Sequence, residues 1–353
     1  MRAPGRLRVA VPRALLALPR EGGHGKVWRS ALHYLAERVR VGPLEPTGGP
    51  AVRAAARRPD VVLADGPTSP PRGRVPLVAQ IHEAGWFEPE LRSTLEPAFY
   101  EFLSARVEAA VHAAEQVLTL SESSRRDLIA NYGLEPARVH AAYPGVDSVF
   151  GPAARGGREL VSRLRGGRAA PYVLFASALH PRKNLPALRE AMSMLAREGC
   201  PHVLVVAGGP ASDRPDSSEL ERTASAELAG APGRVVRVPR PDDRTLAALM
   251  AEADAFCLPS LYEGFGVTVL EAMACGAPTV VSDRGALPEV VGNTGLVTTP
   301  TAEGIAAALR RVLGERETAE RLGRAAAARA REFTWERSGE RWLAVLRLAA
   351  GRG

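Results

Sequence analysis

The chain has 353 residues, which is too long for one domain of ordinary size and suits two. Its formal net charge is +7 and its pI about 9.8, and nearly all of the positive charge is arginine, since Lys26 and Lys183 are the only lysines. The arginines are dispersed, without a run of five or six and without interleaved aromatic residues. This pattern argues against nucleic-acid binding, whereas peripheral contact with an anionic membrane stays open.

Cysteine content and hydropathy further limit the kind of protein that this chain can be. The three cysteines are far apart and match no CxxC or Cys/His metal spacing, so we expect reduced thiols in a cytoplasmic protein. No uninterrupted apolar run reaches about 18 residues, so no membrane-spanning helix is expected. The first apolar segment is broken by Pro12 and Arg13, which argues against a signal peptide. We expect no metal site and no cofactor, and the oligomeric state stays open.

Short apolar runs alternate with longer helical patterns along the chain. The predicted strands are Leu7–Val11, Val61–Ala64, Val75–Gln80, Gln116–Leu120, Val139–Tyr143, Tyr172–Ala176, His202–Ala207, Arg234–Val238, Ala255–Leu258 and Thr279–Ser282. The predicted helices include Lys26–Val39, Pro97–Ala114, Leu185–Glu198, Ser217–Leu228, Leu246–Glu252, Val267–Ala274 and Ala302–Gly314. This alternation predicts an α/β fold with parallel sheets covered by helices on both faces.

Two such sheets are predicted, one in residues 1–150 and one in residues 171–333. The segment 151–170 is rich in Gly and Arg, and it is the predicted linker, with one short helix at Glu159–Leu164. The segment Pro67–Arg74 is a predicted Pro/Gly loop within the first domain. Residues 334–353 are predicted to contain a closing amphipathic helix, Thr334–Leu348.

A glycine-rich segment, Glu21–Lys26, follows the first strand and precedes a helix. It is not a P-loop, because Arg20 occupies the first glycine position of that motif and Val27 replaces its Ser/Thr. A dinucleotide-binding GxGxxG also fails, because Trp28 replaces the third glycine. The segment therefore predicts a glycine loop without either of these nucleotide motifs.

Two adjacent cations, Arg182 and Lys183, lie in a predicted loop between a strand and a helix. This loop is at the carboxyl edge of a parallel sheet, where α/β proteins bind ligands. Arginine can bind two oxygens at once and lysine supplies a point charge, so the pair suits a diphosphate. Cations are disfavoured beside a helix N-terminus, and an anionic partner explains them better.

The most informative segment runs from Leu258 to Pro278 and predicts a strand end, a glycine turn and a helix. Glu263 lies in the turn and Glu271 lies about one turn into the helix that begins near Val267. Glycines in the turn allow the backbone to approach a ligand, and the helix N-terminus suits phosphate or sugar oxygens. The two carboxylates can then reach different parts of a polyhydroxylated ligand.

The spacing Glu263-x7-Glu271, with Gly264, Gly266 and Pro278, resembles the signature of the retaining glycosyltransferases of family 4. The resemblance covers nearly the whole chain, and it is strongest between residues 172 and 292. It implies the GT-B fold, in which two Rossmann-like domains carry parallel sheets that face a central cleft. It also implies that the closing helix crosses back onto the first domain.

The resemblance further implies roles for individual residues. Glu263 and the backbone of the following glycines hold the donor sugar, Glu271 accepts hydrogen bonds from the ribose, and Arg182 with Lys183 neutralises the leaving diphosphate. His82 contacts the sugar. The implied donor-binding residues are Gly23, Ser177, Gly208, Val238, Gly264, Phe265, Gly266, Val267 and Glu271.

Two further segments of the first half are similar to family segments and are expected to be architectural. They are the helix start at Ser121 and the turn Tyr143–Asp147. Ser124 and Arg125 are weaker candidates for contact with phosphate or acceptor. The family pattern also usually has a glycine in the loop after Val238, and this chain has none between Arg237 and Arg244.

The resemblance implies a metal-independent hexosyltransferase that moves a sugar from a nucleoside diphosphate to an acceptor hydroxyl with retention. GDP-mannose is narrowly preferred to UDP-glucose, and the product would be a glycan, a glycolipid or a glycosylated metabolite. Location in the cytoplasm, with contact to the inner face of the membrane, would suit a lipid-linked acceptor. A sugar-nucleotide epimerase of GT-B type and a non-catalytic sugar-nucleotide-binding subunit remain alternatives.

Overall fold

The computed structural model describes residues 6–18, 22–44, 59–66, 75–92, 97–210 and 217–352. They form two compact units. Unit 1 takes its residues from Met1–Gly145 and Phe333–Gly353, and unit 2 from Val146–Glu332. The predicted loop Pro67–Arg74 lies outside the described residues, as do Arg20 and Glu21.

Unit 1 is built on a six-stranded parallel sheet with the order β2-β1-β3-β4-β5-β6. Its strands are β1 Arg8–Pro12, β2 Arg40–Leu44, β3 Val61–Asp65, β4 Leu77–Ile81, β5 Gln116–Thr119 and β6 Val139–Ala141. Every residue of β3 and β4 is buried. Helices cover both faces of such a sheet, which is why these strands lack an alternating polar pattern.

The helices of unit 1 include one from the far end of the chain. They are α1 Arg13–Leu16, α2 Gly22–Arg38, α3 Pro89–Arg92, α4 Pro97–Ala113, α5 Glu122–Tyr132 and α14 Trp335–Ala349. Helix α14 packs against α2, where the rings of Trp28 and Trp342 meet edge to face with centroids 5.3 Å apart. Gly339 permits the close approach, because a Cβ there would lie 2.2 Å from the Tyr34 ring.

Unit 2 has a second six-stranded parallel sheet, with the order β12-β11-β10-β7-β8-β9. Its strands are β7 Tyr172–Ala176, β8 Val203–Ala207, β9 Val235–Val238, β10 Ala255–Leu258, β11 Thr279–Ser282 and β12 Leu296–Thr298. The strand order reverses at β7, which pairs with both β8 and β10. At such a switch point the loops after the two flanking strands diverge and leave room for a ligand.

The helices of unit 2 are α6 Gly157–Leu164, α7 Leu185–Arg197, α8 Ser217–Ser225, α9 Asp243–Ala251, α10 Val267–Ala274, α11 Leu287–Val291, α12 Ala302–Gly314 and α13 Arg316–Ala330. Helix α6 lies in the segment predicted as a linker and packs against α9. A Cβ on Gly157 would lie 2.4 Å from the carbonyl oxygen of Ala248. Among the helices of the described residues, none has the length and apolarity needed to cross a bilayer.

All ten predicted strands are present, with ends shifted by at most two residues. The strands β2 and β12 and the helices α1, α3, α11 and α13 were not predicted. The predicted glycine loop was wrong in part, because Gly22–Gly25 form the first turn of α2. The buried face of that helix, which includes Val27, Trp28 and Leu35, supplies the packing that offsets the cost of glycine.

Candidate active site

The loop after β7 carries the two predicted cations in a rigid turn. Pro181–Lys183 form one turn of 3-10 helix, and the backbone N–H of Arg182 donates to Nδ1 of His180 at 3.0 Å. Asn184 follows with a φ of 55° and donates from its amide to the carbonyl oxygen of Pro300 at 2.8 Å. These contacts fix where the cationic side chains leave the backbone.

Glu263 is the centre of a buried ionic cluster. Nζ of Lys183 donates to Oε1 of Glu263 at 2.5 Å, and Nη1 of Arg182 donates to Oε2 at 3.1 Å. The hydroxyl of Ser260 donates to Oε1 at 2.7 Å. Glu263 is only 5% exposed, so these charges act on one another with little screening by water. The structure therefore brings together the three predicted site residues, Arg182, Lys183 and Glu263, which the sequence places in two distant loops.

The charge state of Glu263 follows from this environment. Burial alone would raise the pKa of the carboxyl group, but the positive charges of Lys183 and Arg182 outweigh it. Hydrogen bonds from Lys183 and Ser260 add to their effect, and the pKa falls to about 2. Glu263 is therefore a carboxylate at neutral pH.

A neighbouring loop holds the backbone of Glu263 in place. The N–H of Ala286 donates to the carbonyl oxygen of Glu263 at 2.9 Å. Gly285 precedes it with a φ of 55°, and a Cβ there would lie 2.4 Å from the same oxygen. Only glycine fits at this position, because both the backbone conformation and the contact exclude a side chain.

The turn after Glu263 leads directly into α10. Gly266 is the residue before the helix and has a φ of 92°, in the left-handed region that glycine adopts at little cost. Phe265 is 2% exposed, so it offers a ligand its backbone rather than its ring. Val267 begins the helix, and Glu271 lies within it at 3% exposure. The two glutamates thus both lie buried on either side of the helix start, as the spacing predicts.

The ends of β7, β8 and β9 meet at the same edge of the sheet. The N–H of Ser177 donates to the carbonyl oxygen of Ala207 at 3.2 Å, and the N–H of Gly208 donates to that of Val238 at 3.0 Å. Gly208 has a φ of 120°, and a Cβ there would lie 2.0 Å from the carbonyl oxygen of Ser177. The predicted donor-binding residues Ser177, Gly208 and Val238 are therefore neighbours.

The loop after β9 lacks the glycine that the family pattern usually has at this place. Arg240 takes a φ of 44°, a left-handed conformation that is uncommon outside glycine. Its guanidinium donates to the carbonyl oxygen of Pro210 at 3.0 Å, and its side chain lies where a Cβ on Gly209 would be. The chain therefore keeps a tight turn here with arginine in the strained position.

In unit 1, His82 follows β4 and lies beside two residues that the sequence analysis did not single out. The imidazole of His24 lies 4.4 Å from that of His82 between ring centroids, and Nε2 of His24 lies 2.9 Å from Oδ2 of Asp65. Burial, and next the nearby His24, lower the pKa of His82 to about 3, although Asp65 opposes this. His82 is therefore a neutral imidazole at neutral pH.

Among the other first-unit candidates, Ser124 and Arg125 have structural partners. Gly23 is exposed in the first turn of α2. Ser124 donates its N–H to the hydroxyl of Ser121, which caps α5. Arg125 donates to the carbonyl oxygens of Val139 at 2.7 Å and of Pro136 at 2.8 Å. The contacts of Arg125 tie α5 to β6, which supports the architectural interpretation of this segment.

Two family models match the chain and together cover most of it. Residues 8–150 match the model described as Glycosyltransferase Family 4, and residues 166–329 match the model described as Glycosyl transferases group 1. The chain belongs to glycosyltransferase family 4. This confirms the predicted family.

Two curated relatives of this family 4 chain have names that indicate different acceptors. It is 36% identical over 256 residues to the D-inositol 3-phosphate glycosyltransferase of Kribbella flavida, covering 69% of this chain and 58% of that protein. It is 31% identical over 296 residues to the MMP alpha-(1->4)-mannosyltransferase of Mycolicibacterium hassiacum, covering 78% and 66%. The chain thus spans about three fifths of the length of these relatives.

Solved structures show the same fold. The sucrose-phosphate synthase of Thermosynechococcus elongatus superposes with a TM-score of 0.78 at 19% identity, covering 99% of this chain and all of that one. The predicted fold class, a two-domain α/β protein of GT-B type with parallel sheets, is confirmed.

Proposed function

We propose that this family 4 protein transfers a hexose from a nucleoside diphosphate sugar to an acceptor hydroxyl, with retention and without a metal ion. One observation carries the proposal: Arg182 and Lys183 both reach Glu263 at the switch point of the unit 2 sheet. Arg182, Lys183 and Glu263 together carry one net positive charge. An anionic ligand such as a diphosphate would balance that charge.

The same cations can stabilise the leaving group. As the bond to the anomeric carbon breaks, negative charge grows on the diphosphate, and prepositioned donors in a water-poor site lower the energy of that state. The N-terminus of α10, which follows Gly266, adds a partial positive charge. A metal ion is not needed where a guanidinium and an ammonium supply the charge.

Glu263 acts in this scheme as a permanent carboxylate. With a pKa of about 2 it holds no proton to donate at neutral pH, and it is too weak a base to remove one from a hydroxyl. It can accept hydrogen bonds from sugar hydroxyls and stabilise positive charge that develops on the sugar ring. The leaving phosphate would then accept the proton of the acceptor hydroxyl.

The remaining residues contact different parts of the donor. Glu271 accepts hydrogen bonds from the ribose, and backbone groups near Gly208 and Val238 contact the base. The backbone between Gly264 and Val267 holds the sugar, with Ser177 and Gly23 near the phosphates. His82, as a neutral imidazole, contacts the sugar.

GDP-mannose is the preferred donor over UDP-glucose, because one of the similar proteins is named a mannosyltransferase. Recognition of the base by backbone groups leaves no side-chain signature that separates guanine from uracil. The acceptor is a glycan, a lipid-linked sugar or a metabolite, and peripheral contact with an anionic membrane would serve a lipid-linked one. An enzyme of this kind would act in the cytoplasm, where nucleotide sugars are available.

The decisive experiment measures transfer and donor binding together. Purified protein is incubated with GDP-mannose or UDP-glucose and a panel of acceptors, and products are followed by mass spectrometry and NMR. Lys183→Ala should lower turnover by about 10²–10³-fold while the protein stays folded. Arg310→Ala is the matched control, because Arg310 forms an exposed ion pair with Glu198 in the same unit. Full turnover of Lys183→Ala would refute the assignment.

Incubation with the donor alone separates the alternatives. Slow hydrolysis agrees with a transferase, whereas an epimerised nucleotide sugar would identify an epimerase. Donor binding without hydrolysis, and without transfer to any acceptor, would identify a sugar-nucleotide-binding subunit. An absolute requirement for a metal ion would contradict the role given to Arg182 and Lys183.

A further inference from the structure

Unit 1 contains a cluster of metal-ligating side chains at the carboxyl edge of its sheet. His24 comes from the first turn of α2, Asp65 is the last residue of β3, and His82 follows β4. One ligand atom from each of the three residues lies within 4.8 Å of the other two. They converge because β3 and β4 are adjacent parallel strands, whose carboxyl ends lie at the same edge.

We propose that His24, Asp65 and His82 bind one divalent transition-metal ion of the zinc class. Two imidazoles and one carboxylate are the ligand set that such ions accept when one coordination position is left for water. The set does not suit Mg²⁺, which prefers oxygen ligands in octahedral geometry.

The geometry is close to what an ion requires. Ligands at about 2.0–2.2 Å from a tetrahedral ion lie roughly 3.4 Å from one another. Nε2 of His24 and Oδ2 of Asp65 are 2.9 Å apart, so they would separate slightly while His82 moves closer. The side chain of His24 is 43% exposed, which leaves it room to make this adjustment.

Two buried polar groups beside the cluster support the proposal independently. Nε2 of His82 is buried and has no hydrogen-bond partner among the residues that the structure describes. The same holds for both amide atoms of Gln80, which is fully buried. Gln80 pairs with Asp65 in the register of β3 and β4, so both side chains leave the same face of the sheet. Buried polar groups without a hydrogen-bond partner indicate that a further polar group or an ion binds beside them.

Bound metal would affect the reaction described above. An ion on Nε2 would hold the imidazole that we assign to the donor sugar, so transition metals would inhibit transfer. This consequence rests on the proposed function, whereas metal binding itself does not. The proposal also agrees with transfer that needs no metal, because Arg182 and Lys183 belong to unit 2.

The test titrates the full-length protein with Co²⁺, followed by visible absorption, and with Zn²⁺, followed by calorimetry. We expect one ion per chain and an affinity that falls by about 100-fold or more in His24→Ala and in Asp65→Asn. His33→Ala is the matched control, since His33 lies on the same helix with its side chain 84% exposed. Mg²⁺ should not compete.

A second candidate ligand pair makes the test discriminating. Sγ of Cys200 lies 3.2 Å from Nδ1 of His202 in unit 2, and a thiol with an imidazole can also bind zinc. Cys200→Ser should therefore bind like the wild type. Loss of binding in Cys200→Ser, wild-type affinity in His24→Ala, or no binding by the wild type would each overturn the proposal. Because binding is read without turnover, these outcomes are independent of whether the protein transfers sugar.

Discussion

The ammonium of Lys183 lies 2.5 Å from a carboxylate oxygen of Glu263, a residue that follows it by 80 positions in the chain. Arg182 contacts the other oxygen of the same carboxylate. The three side chains form one electrostatic unit, so a change in any one of them alters the environment of the other two.

Replacing the carboxylate removes the negative charge that both Arg182 and Lys183 contact. We expect Glu263→Gln to lower the free energy of unfolding by about 3 kcal/mol, because removal of one partner of a buried ion pair leaves the other uncompensated. A nucleoside diphosphate should restore much of the loss, since it supplies negative charge to the same cations. Thermal unfolding with and without GDP or UDP measures both effects.

The control for this variant is Glu198→Gln, which removes a carboxylate from an exposed pair with Arg310. That change should cost well under about 1 kcal/mol and respond to nucleotide like the wild type. Equal melting temperatures for Glu263→Gln and the wild type would show that the cluster does not contribute as described.

The low pKa of Glu263 makes its contribution to stability depend on pH. The carboxyl group has an ordinary pKa of 4.5 and a pKa of about 2 in the folded protein. Its stabilising effect is therefore fully present above about pH 4.5, and it is lost progressively as the pH falls toward 2. Urea unfolding of the wild type and of Glu263→Gln should show a difference that is constant near neutral pH and shrinks below about pH 4.5. A difference that grows on acidification would contradict the assigned charge state.

Gly208 offers a test of the backbone at the strand ends. Gly208→Ala must place a Cβ about 2.0 Å from the carbonyl oxygen of Ser177, so either the loop moves or the strand does. We expect a loss of stability of about 3 kcal/mol or more and weaker nucleotide binding. Gly199→Ala isolates the effect, because Gly199 has a φ of 87° and nothing within 4 Å of its missing Cβ.

That control should lose only about 1 kcal/mol, which is the cost of the left-handed conformation without the clash. Calorimetric titration with GDP and UDP gives the binding of both variants. If the two substitutions have equal effects, the contact with Ser177 does not constrain the loop.

The candidate site in unit 2 was largely predictable from sequence, and the reason is topological. Arg182, Lys183 and Glu263 each follow a predicted strand, and parallel strands end at one edge of a sheet. Their chemistry was therefore visible in two separate loops. Their direct pairing was not, because the order β10-β7 of the sheet is decided by packing over the whole unit rather than by local pattern.

The corresponding features of unit 1 were harder to predict from the sequence. His24 lies among three glycines, a composition that predicts a loop, yet the segment is helical because Trp28 and Leu35 pack below it. Asp65 is buried at the end of an apolar strand and carries no recognisable motif. The strand β2 contains Gly42 and Pro43, which local propensity disfavours, and its place at the edge of the sheet tolerates them. In each case tertiary contacts outweigh local preference.

The return of α14 to unit 1 has a consequence for how the chain is made. Unit 2 is continuous in sequence, whereas unit 1 needs Trp342 to pack against Trp28. During synthesis, the segment Val146–Glu332 can complete its core before the helix Trp335–Ala349 has emerged. The face of the first sheet that α14 covers stays exposed meanwhile, and it is covered only once α14 itself has been made.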